Sequence, residues 1–370
     1  MSSGFHQIYL DKAVKEIPGG MGILKSTWRC SSNIALVKYW GKRDVQIPRN
    51  PSLSFSLSKS LTEMKVEVRP AKEKGPSINY FFEGVRKHDF EKRISTYIKG
   101  ILPFFPFLNY CSIGMMSRNT FPHSSGIASS ASSLSALALC ICSIEEKIAN
   151  QGVEGRRGPD FFQKASYMAR LGSGSASRSV YGGFVSWGQW LENQISSDEF
   201  ASALSISVGR AFRNLQDAVL IVNPAVKKIS SSQGHDLMDQ HPYALQRYEQ
   251  AARNLTGLLK AIECNDIENF IRITESEALS LHGLMLSSDP GFILLEPATI
   301  NIINGIREFR EKTGKFLTFT IDAGPNVHLI YPETERTAVI SFVKDYLERF
   351  CYNGQWIDDR MGEGPVELTS

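Results

Sequence analysis

No stretch of this sequence approaches the ~18 consecutive apolar residues that a membrane-spanning helix requires, so a membrane partner is not expected. Cysteine is scarce as well. The six present (Cys30, Cys111, Cys140, Cys142, Cys264 and Cys351) are scattered and form no C-x-x-C, a poor disulfide framework for 370 residues. They read as buried thiols in a reducing compartment. An excess of one charge is also missing: 41 Lys+Arg against 38 Asp+Glu leave a formal net charge of +3, with no long basic run to track a phosphate backbone. A nucleic-acid partner is therefore not expected, whereas a small anionic ligand needs only a few convergent cations and remains open. The amino-terminal MSSGFHQIYLDKAVKEIPGG lacks the apolar run of a secretory signal, and the cytoplasm is the expected location.

Several signatures of known chemistry are absent too. The chain has no G-x-x-x-x-G-K-[ST] loop, no G-x-G-x-x-G after a strand, no G-x-S-x-G elbow, and no H-E-x-x-H or other metal spacing among its seven histidines. No protein-held metal site is expected. There is no internal repeat and no low-complexity tract.

What is present is an ordinary globular composition, 42% hydrophobic and 21% charged, enough for a sizeable core. At ~100 to 200 residues per domain the length suggests two domains. Residues 21–70 alternate apolar and polar positions, the pattern of half-buried strands, and INYFFEG adds another. Helical spacing runs from Phe90 to Ile101, from the small-residue stretch after Ser124 to Ile148, and from Phe161 to Leu171. The pattern restarts near residue 210 with a strand at DAVLIVNP. Helices follow over Tyr243–Ile262, Asp266–Leu284 and Ala298–Lys312, then a strand, glycine turn and strand in FLTFTIDAGPNVHLIYP, then a helix from Glu335 to Phe350. Mixed order without regular βαβ alternation predicts an α+β fold. The expected division is an extension over residues 1–25 and domains over 26–210 and 211–370.

Four stretches combine residue types that carry chemistry. In Asn33–Asp44 the cations Lys38, Lys42 and Arg43 crowd with Tyr39 and Trp40 at a strand end; on an ideal strand Lys38 and Lys42 face one side, which suits an anion. The plain alternative is a solvated strand end with the aromatics in the core. Asn119–Ala131 is a Pro/Gly/Ser loop entering an apolar helix, where free backbone N–H groups and the helix dipole favour a phosphate; close helix–sheet packing explains the same small residues. Gly172–Ser179 offers flexible backbone, hydroxyls and the guanidinium of Arg178, a planar binder of phosphate or carboxylate, or else it is a linker. Asp322, before Gly324, is either a base or a carboxylate bonded to turn amides.

Taken jointly these stretches resemble the mevalonate diphosphate decarboxylases of the GHMP kinase superfamily. The family's N-I-A-x-x-K-Y-W-G-K-R-D appears at Asn33–Asp44, and PRNPSLSFSLS approximates its P-x-N-x-S-x-S. Its N-F-P-T-A-A-G-L-A-S-S-A appears as TFPHSSGIASSA, its G-S-G-S-A-C-R-S as Gly172–Ser179, and its F-D-A-G-P-N as Ile321–Asn326. Order and spacing agree over roughly residues 28–332, with a late G-x-G-P echo at Gly362–Pro365.

The resemblance implies two GHMP-kinase-like lobes with the active site in the cleft between them, and ATP-dependent decarboxylation of mevalonate 5-diphosphate to isopentenyl diphosphate. It implies that Asp322 and Lys38 are catalytic. Tyr39, Trp40, Gly41, Lys42, Arg93, Ser173, Gly174, Ser175, Ala176, Ser177, Arg178 and Ser232 would hold the substrate. Pro122, His123, Ser124, Ser125, Gly126, Ile127, Ala128, Ser129 and Ser130 would form the ATP phosphate loop, with Mg²⁺ bridging phosphates and leaning on few protein ligands. A homodimer follows by analogy.

Departures are local. His123, Ser124 and Ser125 stand where the family usually has Thr-Ala-Ala, Thr120 replaces a usual Asn, and Gly234-His235 stands where Gly-Met is more frequent. Rival readings are a decarboxylase of mevalonate 5-phosphate or 3,5-bisphosphate, a mevalonate 3-kinase, or a catalytically silent ligand-binding homologue. Retention of Lys38 and Asp322 favours decarboxylation.

Overall fold

The period-two pattern of residues 21–70 becomes two long antiparallel strands, β1 (Leu24–Val37) and β4 (Ser52–Pro70). The structure, a computed structural model, describes residues 4–121, 127–151, 157–190, 196–225 and 231–369, the side chains of residues 231 and 232 excepted. Between those strands a short ribbon of β2 (Lys42–Arg43) and β3 (Ile47–Pro48) turns the chain. Among the described residues the first sheet has eight strands. Its main path is β14 (Val366–Leu368), β1, β4, β7 (Cys111–Asn119), β5 (Ser77–Phe82) and β6 (Val85–Arg86); β8 (Phe184–Trp187) pairs with the other end of β4, and β9 (Ser202–Ala203) pairs with β8.

One face of this sheet shares a core with α2 (His88–Ile101), α3 (Ser129–Ala149) and α4 (Pro159–Gly172). Along β4, Thr62, Met64, Val66 and Val68 are buried and alternate with part-exposed neighbours, as a sheet covered on one face requires. Helix α3 is buried almost all round. Its Ala131, Ser132, Ser135, Ala136 and Ala138 let the backbone lie close to the strands, and Thr62 and Ser132 hydroxyls bond at 2.7 Å across that contact. The amino-terminal helix α1 (Gly4–Asp11) joins this core through Tyr9, set edge-on to Tyr167.

The second sheet has the order β11 (Thr318–Ile321), β12 (Val327–Pro332), β10 (Leu215–Leu220) and β13 (Trp356–Arg360). Its helices are α5 (Ser231–Asp236), α6 (Ala244–Cys264), α7 (Ile267–Ser287), α8 (Pro297–Thr313) and α9 (Arg336–Phe342). Local chemistry sets their ends: Asp266 caps α7 by accepting the N–H of Asn269, and Glu296 with Thr299 forms a capping box for α8 before Gly314 closes it. Ala218, Leu220, Phe319 and Leu329 pack with α8 and the segment after it. On the other face, Leu215, Val219 and Ile330 join Ile34, Leu36 and Phe55 of the first sheet and Leu255, Leu258 and Ile273 of α6 and α7. This continuous core joins the two lobes of the α+β fold. Asp359 of β13 adds a polar tie, accepting the amides of Ser58, Lys59 and Ser60 at 2.7–3.0 Å.

Three expectations change. The helix from Glu335 to Phe350 is broken: α9 ends at Phe342, a π turn spans Val343–Leu347 and a 3₁₀ turn follows. Two rows four residues apart cause this, Val339, Val343 and Leu347 in the core and Phe342 and Tyr346 stacked beside Phe309 with Phe350 edge-on to Tyr346, since a four-residue spacing drifts off a 3.6-residue period and a wider turn restores it. Gly172–Ser179 is not flexible backbone. Gly174–Val180 is a 3₁₀ turn with Gly174, Ala176, Ser177, Arg178 and Ser179 buried against α3 and α4. Finally, β1 stops at Val37, so Lys38 and Lys42 do not share a strand face.

Candidate active site

Lys38 is the first residue past β1 and Asp322 the first past β11, so the ends of strands from the two sheets meet. The ammonium Nζ lies 2.8 Å from Asp322 Oδ1, with the lysine side chain 3% exposed and the carboxylate 28%. Desolvation by burial lowers the pKa of the lysine, and Asp322 holds it up in part. The backbone around the pair is fixed from both lobes. Lys38 donates its N–H to Glu277 Oε2 at 2.8 Å, and Arg247 and Asn50 donate to its carbonyl. Glu277 is itself held by Arg247 through two hydrogen bonds, 2.8 and 2.6 Å, and by Asn254 at 2.7 Å. The Asp322 carbonyl accepts from His282 Nε2 at 3.1 Å.

Beside this pair lies Arg178, 2% exposed. Its guanidinium donates to Ser52 Oγ (2.8 Å), Ser54 Oγ (3.0 Å) and Asn33 Oδ1 (3.3 Å), all neutral. No carboxylate bonds to it among the described residues, and burial lowers its pKa to about 10 although Asp322 acts to raise it. A guanidinium buried without a counter-ion is unfavourable unless an anion arrives.

The turn after Lys38 stacks aromatic rings. Tyr39 lies edge-on to Trp187 at 4.6 Å, and Gly174 touches both rings so closely that a Cβ there would fall 2.6 Å from Trp187. Gly41 has a positive φ of 95° and no room for a side chain under Tyr248. Lys42 reaches Asp236 at 3.3 Å. His235 packs on both Tyr39 and Trp40, with ring centroids 4.2 and 4.8 Å away, and its Nδ1 accepts the Gly41 N–H at 2.9 Å. Burial beside Lys42 and Arg178 lowers its pKa to about 3.

The remaining sequence candidates divide. Ser175 accepts Asn33 through its backbone carbonyl, and Ser173 and Ser175 hydroxyls lie 3.4 Å apart, so the Ser173–Arg178 turn joins the Asn33 strand. Pro122, His123, Ser124, Ser125 and Gly126 lie outside the described residues, as does the side chain of Ser232. Ile127 is buried, Ala128 accepts the Ser32 hydroxyl, and Ser129 and Ser130 open α3, whose first turn carries no acidic residue. Arg93 is exposed on α2, and no hydrogen bond or ion pair joins it to these groups among the described residues. Sequence reading passed over Ser52, Ser54 and Asn33 as individual ligands, although all lie in the quoted motifs. It also missed Glu277 and Arg247, for which no motif exists.

Known protein families match this arrangement along the chain. A model of the diphosphomevalonate decarboxylase-like N-terminal domain matches residues 30–201, and one of the mevalonate 5-diphosphate decarboxylase C-terminal domain matches residues 218–363. The chain belongs to the diphosphomevalonate decarboxylase family. Among its relatives is the diphosphomevalonate decarboxylase of Ganoderma lucidum, 28% identical over 348 residues that cover 88% of this chain and 83% of that one. The mevalonate diphosphate decarboxylase of Staphylococcus aureus superposes with a TM-score of 0.78 at 27% identity, over 94% of this chain and 98% of the other. MDDEF, solved in complex with MVAPP, AMPPCP and magnesium, gives a TM-score of 0.76 at 25% identity, over 94% and 100%.

For a member of the diphosphomevalonate decarboxylase family the electrostatics are coherent. Lys38 and Arg178 both act on Asp322, and Arg178 bonds no carboxylate of its own among the described residues, which favours an anionic ligand beside them. Among the described residues no group of His, Cys, Asp or Glu is arranged to hold a metal ion, and no helix is long and apolar enough to cross a membrane. A separate cleft of about 1110 Å³ lies away from this chemistry, between α7 and α8.

Proposed function

We infer that this chain catalyses ATP-dependent decarboxylation of mevalonate 5-diphosphate, yielding isopentenyl diphosphate, ADP, phosphate and CO2. The observation that carries the reading is the Lys38–Asp322 ion pair formed between the two lobes beside a guanidinium with no acid of its own. In a diphosphomevalonate decarboxylase the 3-hydroxyl must become a leaving group, because hydroxide does not depart from a tertiary carbon unaided. Asp322 orients that hydroxyl and takes its proton as the γ-phosphoryl is transferred, and Lys38 keeps the carboxylate ionised. When the phosphate leaves, the bond to the carboxylate carbon breaks. Its electron pair becomes the new C=C, and CO2 is released.

Arg178, with its planar fork, binds the substrate's anionic groups, and Tyr39, Trp40, Gly41, Lys42 and the Ser173–Ser177 turn complete the pocket, with Ser232 beside it. The start of α3, preceded by residues 122–128, receives ATP phosphates, with Mg²⁺ carried on the nucleotide as substrate. MDDEF, solved with MVAPP, AMPPCP and magnesium together, supports this pairing of ligands. The protein acts in the cytoplasm as a homodimer, and the division at about residue 210 separates its lobes.

A substrate panel tests the reading: mevalonate, its 5-phosphate, 5-diphosphate and 3,5-bisphosphate, each assayed for CO2 and ADP with ATP and Mg²⁺. Stoichiometric CO2 and ADP from the 5-diphosphate alone is expected. ADP without CO2 would overturn it in favour of a kinase, and CO2 from another member of the panel would move the substrate assignment.

A further inference from the structure

His235 is a buried imidazole for which the proposed reaction has no use so far. It is held on three sides. Tyr39 and Trp40 lie against its ring, and the Gly41 N–H donates to Nδ1 at 2.9 Å. An acceptor at Nδ1 fixes the tautomer, because a neutral ring then carries its proton on Nε2. Only 7% of the residue is exposed, yet Nε2 is not among the buried polar atoms left without a partner, and no described residue accepts from it.

The charges acting on this ring are Lys42 and Arg178, both cationic, while Asp236, the following residue, is exposed and engaged with Lys42. Burial and those cations keep the imidazole neutral, with a pKa lowered to about 3. A neutral N–H donor in such a pocket adds no repulsion of its own, and it lacks only an acceptor. Packing between two rings could have been supplied by an apolar side chain of similar size. What histidine adds is a pair of opposed nitrogens, one pinned to the Gly41 amide and the other free to donate.

We propose that His235 is a substrate-binding residue of this chain, whose Nε2–H donates to the phosphorylated tail of the substrate alongside Lys42 and Arg178. The inference rests on the reading above that this pocket takes a phosphorylated substrate, and it deepens that reading by naming an uncharged donor for the tail.

The test uses the full chain carrying ¹⁵N-labelled histidine, with inorganic pyrophosphate as the probe, followed by kinetics of His235→Met and His235→Gln. Pyrophosphate should shift the His235 Nε2 resonance and raise the pKa of the ring. His235→Met should raise KM for mevalonate 5-diphosphate about tenfold, as expected when a hydrogen bond to a charged group is lost. Its kcat and its KM for ATP should stay within about twofold of wild type, the pattern of lost ground-state binding. His235→Gln restores an N–H donor and should recover most of the KM. A resonance unmoved by saturating pyrophosphate, or a methionine variant with wild-type KM, would overturn the proposal. If that variant fails to fold, the resonance of the unaltered protein decides. Should pyrophosphate shift the resonance while no CO2 comes from mevalonate 5-diphosphate, the anion donor stands and the proposed reaction is what fails.

Discussion

Glu277, on the second lobe's helix α7, accepts the backbone N–H of Lys38 at 2.8 Å, 239 residues away in the chain. Its carboxylate is wholly buried and also accepts two hydrogen bonds from the guanidinium of Arg247. The contact therefore welds the end of β1 to two helices of the other lobe and sets where the lysine side chain begins. Glu277→Ala would leave the Arg247 charge buried and unpaired, a loss of about 3–5 kcal/mol. Urea denaturation should show a lower midpoint with an unchanged m-value. Wild-type stability in this variant would mean that the two lobes do not depend on this pair.

Asp322 bears the proton-handling role in the proposed reaction. Asp322→Asn keeps size and hydrogen bonding but loses basicity, so single-turnover CO2 release should fall by at least ~10², the usual worth of a general base. ATP affinity should change little. Undiminished turnover would remove this carboxylate from the chemistry.

Arg178 separates binding from stability. Its partners are two hydroxyls and an amide, not an acid, so the folded protein pays for burying the charge. Arg178→Met fills similar volume without that charge and should keep or raise the melting temperature while KM for mevalonate 5-diphosphate rises by about 10² or more. A fall in melting temperature with unchanged KM would make the residue structural.

The parts of the site legible in the sequence are those that lie in contiguous motifs at strand ends. Lys38 and Asp322 follow β1 and β11 directly, where side chains leave the sheet and converge. Glu277 was hidden because one glutamate in the amphipathic stretch IENFIRITESEALSLHGLMLS looks solvated; only tertiary packing shows it buried. Gly172–Ser179 misled for the opposite reason. Its glycines and serines read as a flexible loop, whereas their small size is what lets the turn pack under Tyr39 and Trp187. The spacing of Lys38 and Lys42 also misled, since a positive-φ glycine between them breaks the strand geometry that the spacing assumed.

The pH dependence should carry opposite signs in activity and in stability. Desolvation lowers the pKa of Lys38 below that of a free lysine, although Asp322 opposes the shift. The ammonium–carboxylate pair is intact below the folded-state pKa and lost as pH rises through it, so kcat/KM should decline on an alkaline limb that begins below the ordinary lysine range. Between the folded and unfolded values the unfolded chain binds more protons at this residue, so its contribution to unfolding free energy rises with pH over that same window. Lys38→Arg does not titrate there, and both slopes should flatten in it. Measuring kcat/KM and denaturation midpoints across that range in both proteins checks the pair of signs. An alkaline limb identical in wild type and Lys38→Arg would assign it to another group and detach the ammonium from catalysis.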